Sequence, residues 1–140
     1  MSIAYLALGS NLGDRRDFIQ KALRELKDCG LHVLKTSTII ETNPVGGPVQ
    51  GKYLNAVVKV RTFFSPEELL SAIGKIEKKF GRVREVVNGP RVIDIDILLY
   101  DDVKIISRRL VIPHPRMMER EFVLKPLEEI QPHLCASLRR

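Results

Sequence analysis

The stretch "GPRVIDIDILLY" (residues 89–100) places two aspartates inside an otherwise apolar segment. Side chains on a β-strand point to alternating faces. The alternation predicts one face made of Ile93, Ile95, Ile97 and Leu99, and an opposite face made of Asp94, Asp96, Leu98 and Tyr100. Because like charges repel, the aspartate face is either open to solvent or covered by something positive.

The rest of the chain predicts further strands over 3–8, 33–41 and 53–61 and two amphipathic helices. The first helix begins after Asp14, a typical N-cap, and the second begins at "SPEE" (residues 65–68), a capping-box sequence. A glycine follows each helix, as is typical of helix C-termini. Beyond residue 100 we expect a short hairpin, an extended segment over 108–116 and an irregular tail.

The order strand, helix, strand, strand, helix, strand predicts an α+β fold of the ferredoxin-like type. Its antiparallel sheet carries both helices on one face, so the apolar face of each strand must meet the helices. The other face is then open, and it carries Tyr53, Asn55, Asp94 and Asp96. We expect the active site on this open face.

Length and composition favour one soluble domain over residues 1–140, with 44% hydrophobic and 29% charged residues. The net charge of +6 indicates an anionic partner, either nucleic acid or a nucleotide. Cys29 and Cys135 have no metal-ligand spacing, and no segment resembles a signal peptide or a membrane span. We therefore expect a cytoplasmic monomer that binds no membrane.

Basic residues surround the two aspartates in the sequence: Arg82, Arg84 and Arg91 precede them, and Arg109, His114, Arg116 and Arg120 follow. Carboxylates two residues apart on a strand can share divalent cations, and Mg²⁺ with several arginines is typical of phosphoryl transfer. The alternative is a solvated sheet face with solvated loop arginines. His114, between two prolines, suits either a buried hydrogen-bonding role or a phosphate contact.

Three other patterns leave alternatives open. Leu70, Gly74 and Glu77 share one stripe of the second helix, where a glycine notch suits either a flat base or close packing. Tyr53 and Phe122 suit either the core or ring stacking. "GSNLGDR" (residues 9–15) lacks the ending of a P-loop, so we interpret it as a strand-to-helix turn.

Seven short motifs occur in order between residues 8 and 124: "LGSNLGDR", "ETNPVG", "YLNA", "GRVR", "GPRVIDIDIL", "IPHPR" and "REFVL". Together they resemble the 6-hydroxymethyl-7,8-dihydropterin pyrophosphokinase family of folate biosynthesis. The resemblance implies transfer of the β,γ-diphosphate of ATP to the hydroxymethyl oxygen of a reduced pterin, with release of AMP. ATP is then a co-substrate and two Mg²⁺ ions are the cofactor. Family members often carry an aromatic residue where this chain has Asn88, and some have glutamine at Gly74.

The same resemblance implies a role for each motif residue. Arg82 and Arg91 would be catalytic, and Asp94 and Asp96 would hold the metal ions. The ATP-binding set would be Leu70, Glu77, Arg84, Ile97, Arg109, His114, Arg116 and Arg120. The pterin-binding set would be Thr42, Asn43, Pro44, Val45, Tyr53, Asn55, Asp94 and Phe122.

Two other classes of protein share some of these features. A ferredoxin-like RNA-binding module fits the positive charge, but the chain has no RNP1-type aromatic run and puts two aspartates on the face that RNA would need. A structural or effector-binding domain would have no reason to combine the aspartate pair with arginine-rich loops. We therefore expect small-molecule substrates and no nucleic acid.

Overall fold

The computed structural model describes residues 1–43, 52–81, 92–134 and 138. The strands are β1 (Ser2–Ser10), β2 (His32–Thr36), β3 (Ile40–Thr42), β4 (Tyr53–Thr62), β5 (Asp94–Tyr100), β6 (Ile105–Ile106) and β7 (Val111–Ile112). The helices are α1 (Arg15–Asp28), α2 (Pro66–Lys79) and α3 (Glu121–Ile130), with a 3-10 turn over Met117–Glu119. No helix among the described residues is long and apolar enough to cross a lipid bilayer.

The main sheet is antiparallel, with the strand order β2-β4-β1-β5 and with β3 also paired to β4. This order confirms the predicted ferredoxin-like α+β fold. The segment predicted as one strand over 33–41 is two strands, because Ser37 interrupts the ladder. Its backbone N–H donates to the Val57 carbonyl at 2.9 Å, and its hydroxyl accepts from the Val57 N–H at 2.8 Å.

Both predicted helix starts are confirmed by their caps. The Asp14 carboxylate accepts from the Asp17 N–H at 3.2 Å. At α2, the Ser65 hydroxyl accepts from the Glu68 N–H at 3.1 Å, and the Glu68 carboxylate accepts from the Ser65 N–H at 2.9 Å. These contacts satisfy backbone donors that have no partner within the helix.

The helices α1 and α2 cover one face of the sheet, as predicted. Their apolar stripes, which include Ile19 and Ile73, pack against Leu6, Ile95 and Ile97. This core holds the first half of β5 against the helices. The acidic residues of that strand consequently lie on the other side of the sheet.

The prediction of an irregular C-terminal tail is wrong, since residues 121–130 form α3. Val123, Leu124 and Leu127 of this helix pack on the opposite face of the sheet against residues that include Val57 and Leu98. The face that was expected to be open is therefore partly covered. The part of this face that no described residue covers is its end beside the start of α3.

The predicted alternation of β5 is also wrong after Ile97. Leu6 pairs with Ile97 while Tyr5 pairs with Leu99, so Leu98 is an extra residue in the ladder. Such a bulge reverses the facing of every later side chain. Leu99 accordingly packs on the α3 side and Tyr100 on the α1 and α2 side.

Candidate active site

A cleft of about 240 Å³ opens at the end of the sheet where β1 and β3 end and β4 and β5 begin. The first turn of α3 forms its other wall. Nine of the predicted site residues line this cleft: Thr42, Asn43, Tyr53, Asn55, Asp94, Asp96, His114, Arg120 and Phe122. The four residues that the face argument placed together, Tyr53, Asn55, Asp94 and Asp96, are all among them.

The floor of the cleft is the end of β1. Gly9 pairs with Asn55 on one side and with Asp94 on the other, and Ala7 pairs with Asp96. A Cβ atom on Gly9 would lie 3.2 Å from Asn55 Oδ1 and 3.5 Å from Tyr53 Cδ1. The two small residues therefore leave the space between the amide and the carboxylates clear.

The Asn55 side chain is oriented by a neighbour on β3. Its Nδ2 donates to the Thr42 hydroxyl at 2.6 Å. Asn55 is buried, so the direction of its amide matters for any ligand that enters. The Oδ1 atom lies beside Gly9 and remains the acceptor on the cleft side.

The α3 wall contributes one aromatic and one cationic side chain. The Arg120 guanidinium lies 5.5 Å from the centre of the Phe122 ring. Arg120 Nε is buried and has no hydrogen-bond partner among the described residues. A buried donor without a partner is costly, so this atom favours an anionic ligand in the cleft.

The backbone and the ring of His114 each form a hydrogen bond. Its N–H donates to the Leu98 carbonyl at 2.9 Å, and its Nδ1 accepts from the Arg116 N–H at 3.3 Å. Burial, followed by the positive charge of Arg120, lowers the pKa of His114, and Asp94 opposes the shift. The ring is therefore neutral at pH 7, with its proton on Nε2 and available to a ligand.

We expect the protein to lose stability as the pH falls below 6.5, the ordinary pKa of histidine. The unfolded chain binds a proton at His114 more tightly than the folded chain does, so protonation favours unfolding. Denaturant unfolding between pH 7.5 and pH 5.5 measures this loss, and His114→Gln should show a smaller one. An equal pH dependence in both proteins would contradict the role of His114.

Other predicted residues lie outside the cleft. Ile97 is in the core on the α1 and α2 side, and Leu70 packs against that core. Glu77 is buried, and its carboxylate accepts from the Ile95 N–H at 2.9 Å, between the two aspartates. Arg109 and Arg116 are exposed. Pro44, Val45, Arg82, Arg84 and Arg91 lie outside the described residues.

The sequence did not identify the residues that shape the cleft without offering a polar or aromatic side chain to a ligand. Gly9 and Ala7 are ordinary strand residues until the register is known. Arg15, which does not line the cleft, was also missed: its guanidinium donates to the Lys52 carbonyl at 2.7 Å and pairs with Glu41 at 2.9 Å. Glu41 and Lys52 lie on either side of the segment predicted to line the pterin site, so Arg15 links the chain before this segment to the chain after it. The "GDR" sequence was the available signal.

The aspartates are the candidate metal ligands. Among the described residues, no cluster of three or more His, Cys, Asp or Glu side chains could hold a metal ion. Mg²⁺ commonly binds one or two carboxylates and completes its shell with water and substrate phosphates. The donor set of Asp94 and Asp96 fits that ion, with water and phosphate oxygens completing its shell.

Several known proteins are similar in sequence to this chain over most of its length. A sequence model of the family "7,8-dihydro-6-hydroxymethylpterin-pyrophosphokinase (HPPK)" matches residues 5–132. The chain is 48% identical over 130 residues to the 2-amino-4-hydroxy-6-hydroxymethyldihydropteridine pyrophosphokinase of Bacillus subtilis, covering 92% of this chain and 78% of that one. It is 44% identical over 140 residues to the Aquifex aeolicus protein of the same name, covering 100% and 87%.

Similar domains also occur inside longer proteins. A folic acid synthesis protein of Pneumocystis carinii is 48% identical over 126 residues, which are 90% of this chain and 17% of that protein. The crystal structure of wild-type Plasmodium falciparum HPPK-DHPS with pterin and p-hydroxybenzoate has a TM-score of 0.71 at 20% identity, and the match covers 94% of this chain and 40% of that one. The structural match shows the fold.

These comparisons do not support the RNA-binding alternative. The family match covers most of the chain, and the two bacterial relatives are matched over most of their own length. The chain belongs to the 7,8-dihydro-6-hydroxymethylpterin-pyrophosphokinase family and is a pyrophosphokinase of folate biosynthesis.

Proposed function

We propose that the chain transfers the β,γ-diphosphate of ATP to the hydroxymethyl oxygen of 6-hydroxymethyl-7,8-dihydropterin in a magnesium-dependent reaction that releases AMP. The proposal rests on the set of side chains that line one cleft. An amide and two aromatic side chains lie beside two carboxylates, a neutral histidine and an arginine with a buried donor. A flat polar heterocycle and a phosphate chain together would satisfy all of them.

The pterin occupies the side of the cleft nearest β3 and β4. Tyr53 reaches this space from the sheet and Phe122 from α3, so a planar ring can lie between two aromatic surfaces. Asn55 recognises the ring edge through its oriented amide, and Thr42 and Asn43 line the adjoining wall. This arrangement directs the hydroxymethyl group towards Asp94 and Asp96.

The diphosphate occupies the side nearest β5. Asp94 and Asp96 would hold Mg²⁺, which supplies charge neutralisation and polarisation of the phosphate that is attacked. Asp94 and Asp96 would hold the metal ion in a fixed position, because β5 is paired with β1. The small residues of β1 beneath them keep the approach to the pterin oxygen open. The reaction then needs positioning and electrostatic stabilisation more than covalent work by the protein.

Arg120 and His114 complete the phosphate side. Arg120 Nε gains an acceptor when a phosphate oxygen enters, which removes the cost of its unpaired burial. The neutral His114 donates from Nε2 without adding to the positive charge of the site. Arg82 and Arg91 remain proposed catalytic residues on the basis of the family motifs, and Arg84 and Arg116 remain proposed ATP contacts.

The adenosine end is proposed to lie along α2 and β5. Leu70, Gly74 and Glu77 share a stripe of α2, and a Cβ atom on Gly74 would meet no described atom within 4 Å. The notch is thus open enough for a flat base. Glu77 and Ile97 lie on the α1 and α2 side of the sheet, and Arg109, exposed between β6 and β7, remains a proposed ATP contact. A cytoplasmic monomer with two Mg²⁺ ions remains our expectation.

The experiment is to incubate the purified protein with ATP, Mg²⁺ and 6-hydroxymethyl-7,8-dihydropterin and to separate the nucleotides. AMP and the pterin diphosphate should form in equal amounts, and EDTA should stop both. As a control, 6-methyl-7,8-dihydropterin lacks the accepting hydroxyl and should yield no AMP. Formation of ADP, or AMP release that does not depend on the pterin, would overturn the proposal.

A further inference from the structure

Glu129 lies near the C-terminal end of α3, away from the cleft, and joins this helix to the segment between β2 and β3. The Thr38 N–H donates to Oε2 of Glu129 at 2.9 Å and to Oε1 at 3.2 Å. The Thr38 hydroxyl also donates to Oε1. One carboxylate therefore accepts both donors of Thr38, and hydrogen bonds to a charged acceptor are the stronger kind.

The interruption of the sheet at Ser37 makes this contact possible. The Ser37 hydroxyl takes the place of a backbone acceptor for the Val57 N–H, and it donates to the Thr38 carbonyl at 2.9 Å. The next residue is thus released from the ladder with β4. Its N–H and its hydroxyl turn to the α3 side of the sheet, where Glu129 receives them.

Each partner of this contact leads directly to one wall of the cleft. From Thr38 the chain enters β3, which ends at Thr42 beside Asn43. From Glu129 the helix runs back by about two turns to Phe122 at the other wall. The Glu129 carboxylate consequently links β3, which carries the polar wall of the cleft, to α3, which carries the aromatic wall.

Three other hydrogen bonds hold the end of α3, but none of them reaches β3. Lys35 Nζ donates to the Ile130 carbonyl at 3.2 Å. Gln131 Oε1 accepts from Lys59 Nζ at 3.0 Å and from the Tyr5 hydroxyl at 3.1 Å. These hydrogen bonds fix the distance between the end of α3 and the strands β1, β2 and β4. Among the described hydrogen bonds, only those of Glu129 join α3 to the segment that enters β3.

We propose that Glu129 is a positioning residue for the pterin: its hydrogen bonds to Thr38 set the separation between the Phe122 wall and the Thr42 wall of the cleft. The inference rests on the proposed function, because it takes the ring to lie between these walls. The ring stacks on Phe122 and lies beside Thr42, so it loses one of these contacts when the walls separate, since dispersion falls steeply with distance. Nucleotide binding depends less on this separation, because Asp94, Asp96 and His114 lie outside α3 and only Arg120 belongs to the α3 wall.

The test is direct binding of 6-hydroxymethyl-7,8-dihydropterin by equilibrium dialysis, without any need for turnover. Glu129→Ala should weaken binding of the pterin by about fivefold or more, and binding of a non-hydrolysable ATP analogue with Mg²⁺ should weaken less. Glu129→Gln keeps an acceptor for the Thr38 N–H and should recover part of the affinity. Thr38→Val removes only the hydroxyl and should cause a smaller loss.

Glu128→Ala is the matched control. Glu128 is exposed, lies on the same helical turn and forms no hydrogen bond or ion pair with a described residue, and its replacement makes the same change in charge. It should leave pterin affinity unchanged. If Glu129→Ala does not fold, the Thr38→Val and Glu129→Gln variants test the same contact.

A double-mutant cycle with Phe122→Ala decides whether Glu129 acts through the cleft walls. Without the aromatic wall, Glu129→Ala should cause no further loss of pterin affinity. Equal losses in both backgrounds would overturn the proposal, as would unchanged affinity in Glu129→Ala alone. Failure of the unmodified protein to bind the pterin even with the ATP analogue and Mg²⁺ present would instead overturn the proposed function, so the two failures are distinct.

Discussion

Replacing Asp96 by alanine is expected to lower kcat for AMP release by at least about 1,000-fold, because several kcal/mol of charge stabilisation in the transition state would be lost. Asp94→Ala should have a comparable effect. Both side chains line the cleft from the same face of β5, opposite the small residues of β1. Removing either leaves a single carboxylate to hold the metal.

The fold should survive these replacements. The two aspartates alternate with Ile95 and Ile97, whose side chains form the core contacts of the strand. Backbone pairing with β1 does not depend on the carboxylates. The free energy of unfolding, measured in urea, is therefore expected to change by no more than about 1 kcal/mol.

Asp102→Ala is the control for this pair. Asp102 is exposed in the turn after β5, so its replacement removes an equal charge away from the cleft. AMP release should stay at the unmodified rate. Binding of Mn²⁺ with an ATP analogue, followed by electron paramagnetic resonance, tests the metal role separately. Near-normal turnover in both aspartate variants would refute the assignment.

Replacing Gly9 by valine is expected to lower kcat/KM for the pterin by about 100-fold or more while the protein stays folded. The position is the floor of the cleft, between Asn55 and Asp94 in the sheet register. The first added carbon already lies 3.2 Å from Asn55 Oδ1, and the two further methyl groups would occupy the space of the ring. Gly9→Ala should give a smaller loss.

The strand itself should tolerate the change, because valine is favoured in β-strands and Gly9 has no left-handed conformation that would be strained. Ser2→Val, at the other end of β1, adds a branched side chain far from the cleft and should leave kcat/KM unaltered. The measurements are initial rates across pterin concentrations and thermal melting of all three variants. Unchanged pterin kinetics in a folded Gly9→Val protein would show that the ring lies elsewhere.

Much of the fold could be predicted from local signals. The alternation of β1, β4 and the first half of β5 is visible in the sequence, and the caps at Asp14 and Ser65 form as their residue types predict. The placement of Tyr53 and Asn55 with the aspartates also followed from alternation, since the helices can cover only one apolar face. The family motifs then indicated the reaction.

The helix α3 could not be predicted in the same way. Its N-cap, Arg120, makes no side-chain capping hydrogen bond, and Pro126 lies inside the helix. Both features are unfavourable for an isolated helix. Packing of Leu124, Leu127 and other apolar residues against the sheet stabilises it instead. The Phe122 wall of the cleft therefore depends on contacts with residues far away in the chain.

By itself, the sequence determined the alternation of strands and helices up to residue 100, the helix caps, the face of β5 that carries the aspartates and the family to which the chain belongs. Only the tertiary structure decided the bulge at Leu98, the break at Ser37, the docking of α3 and the position of Gly9 beneath the cleft. The physical reason is the range of the interactions. Periodicity and caps act over a few residues, whereas register and helix docking are set by pairs that meet only after folding.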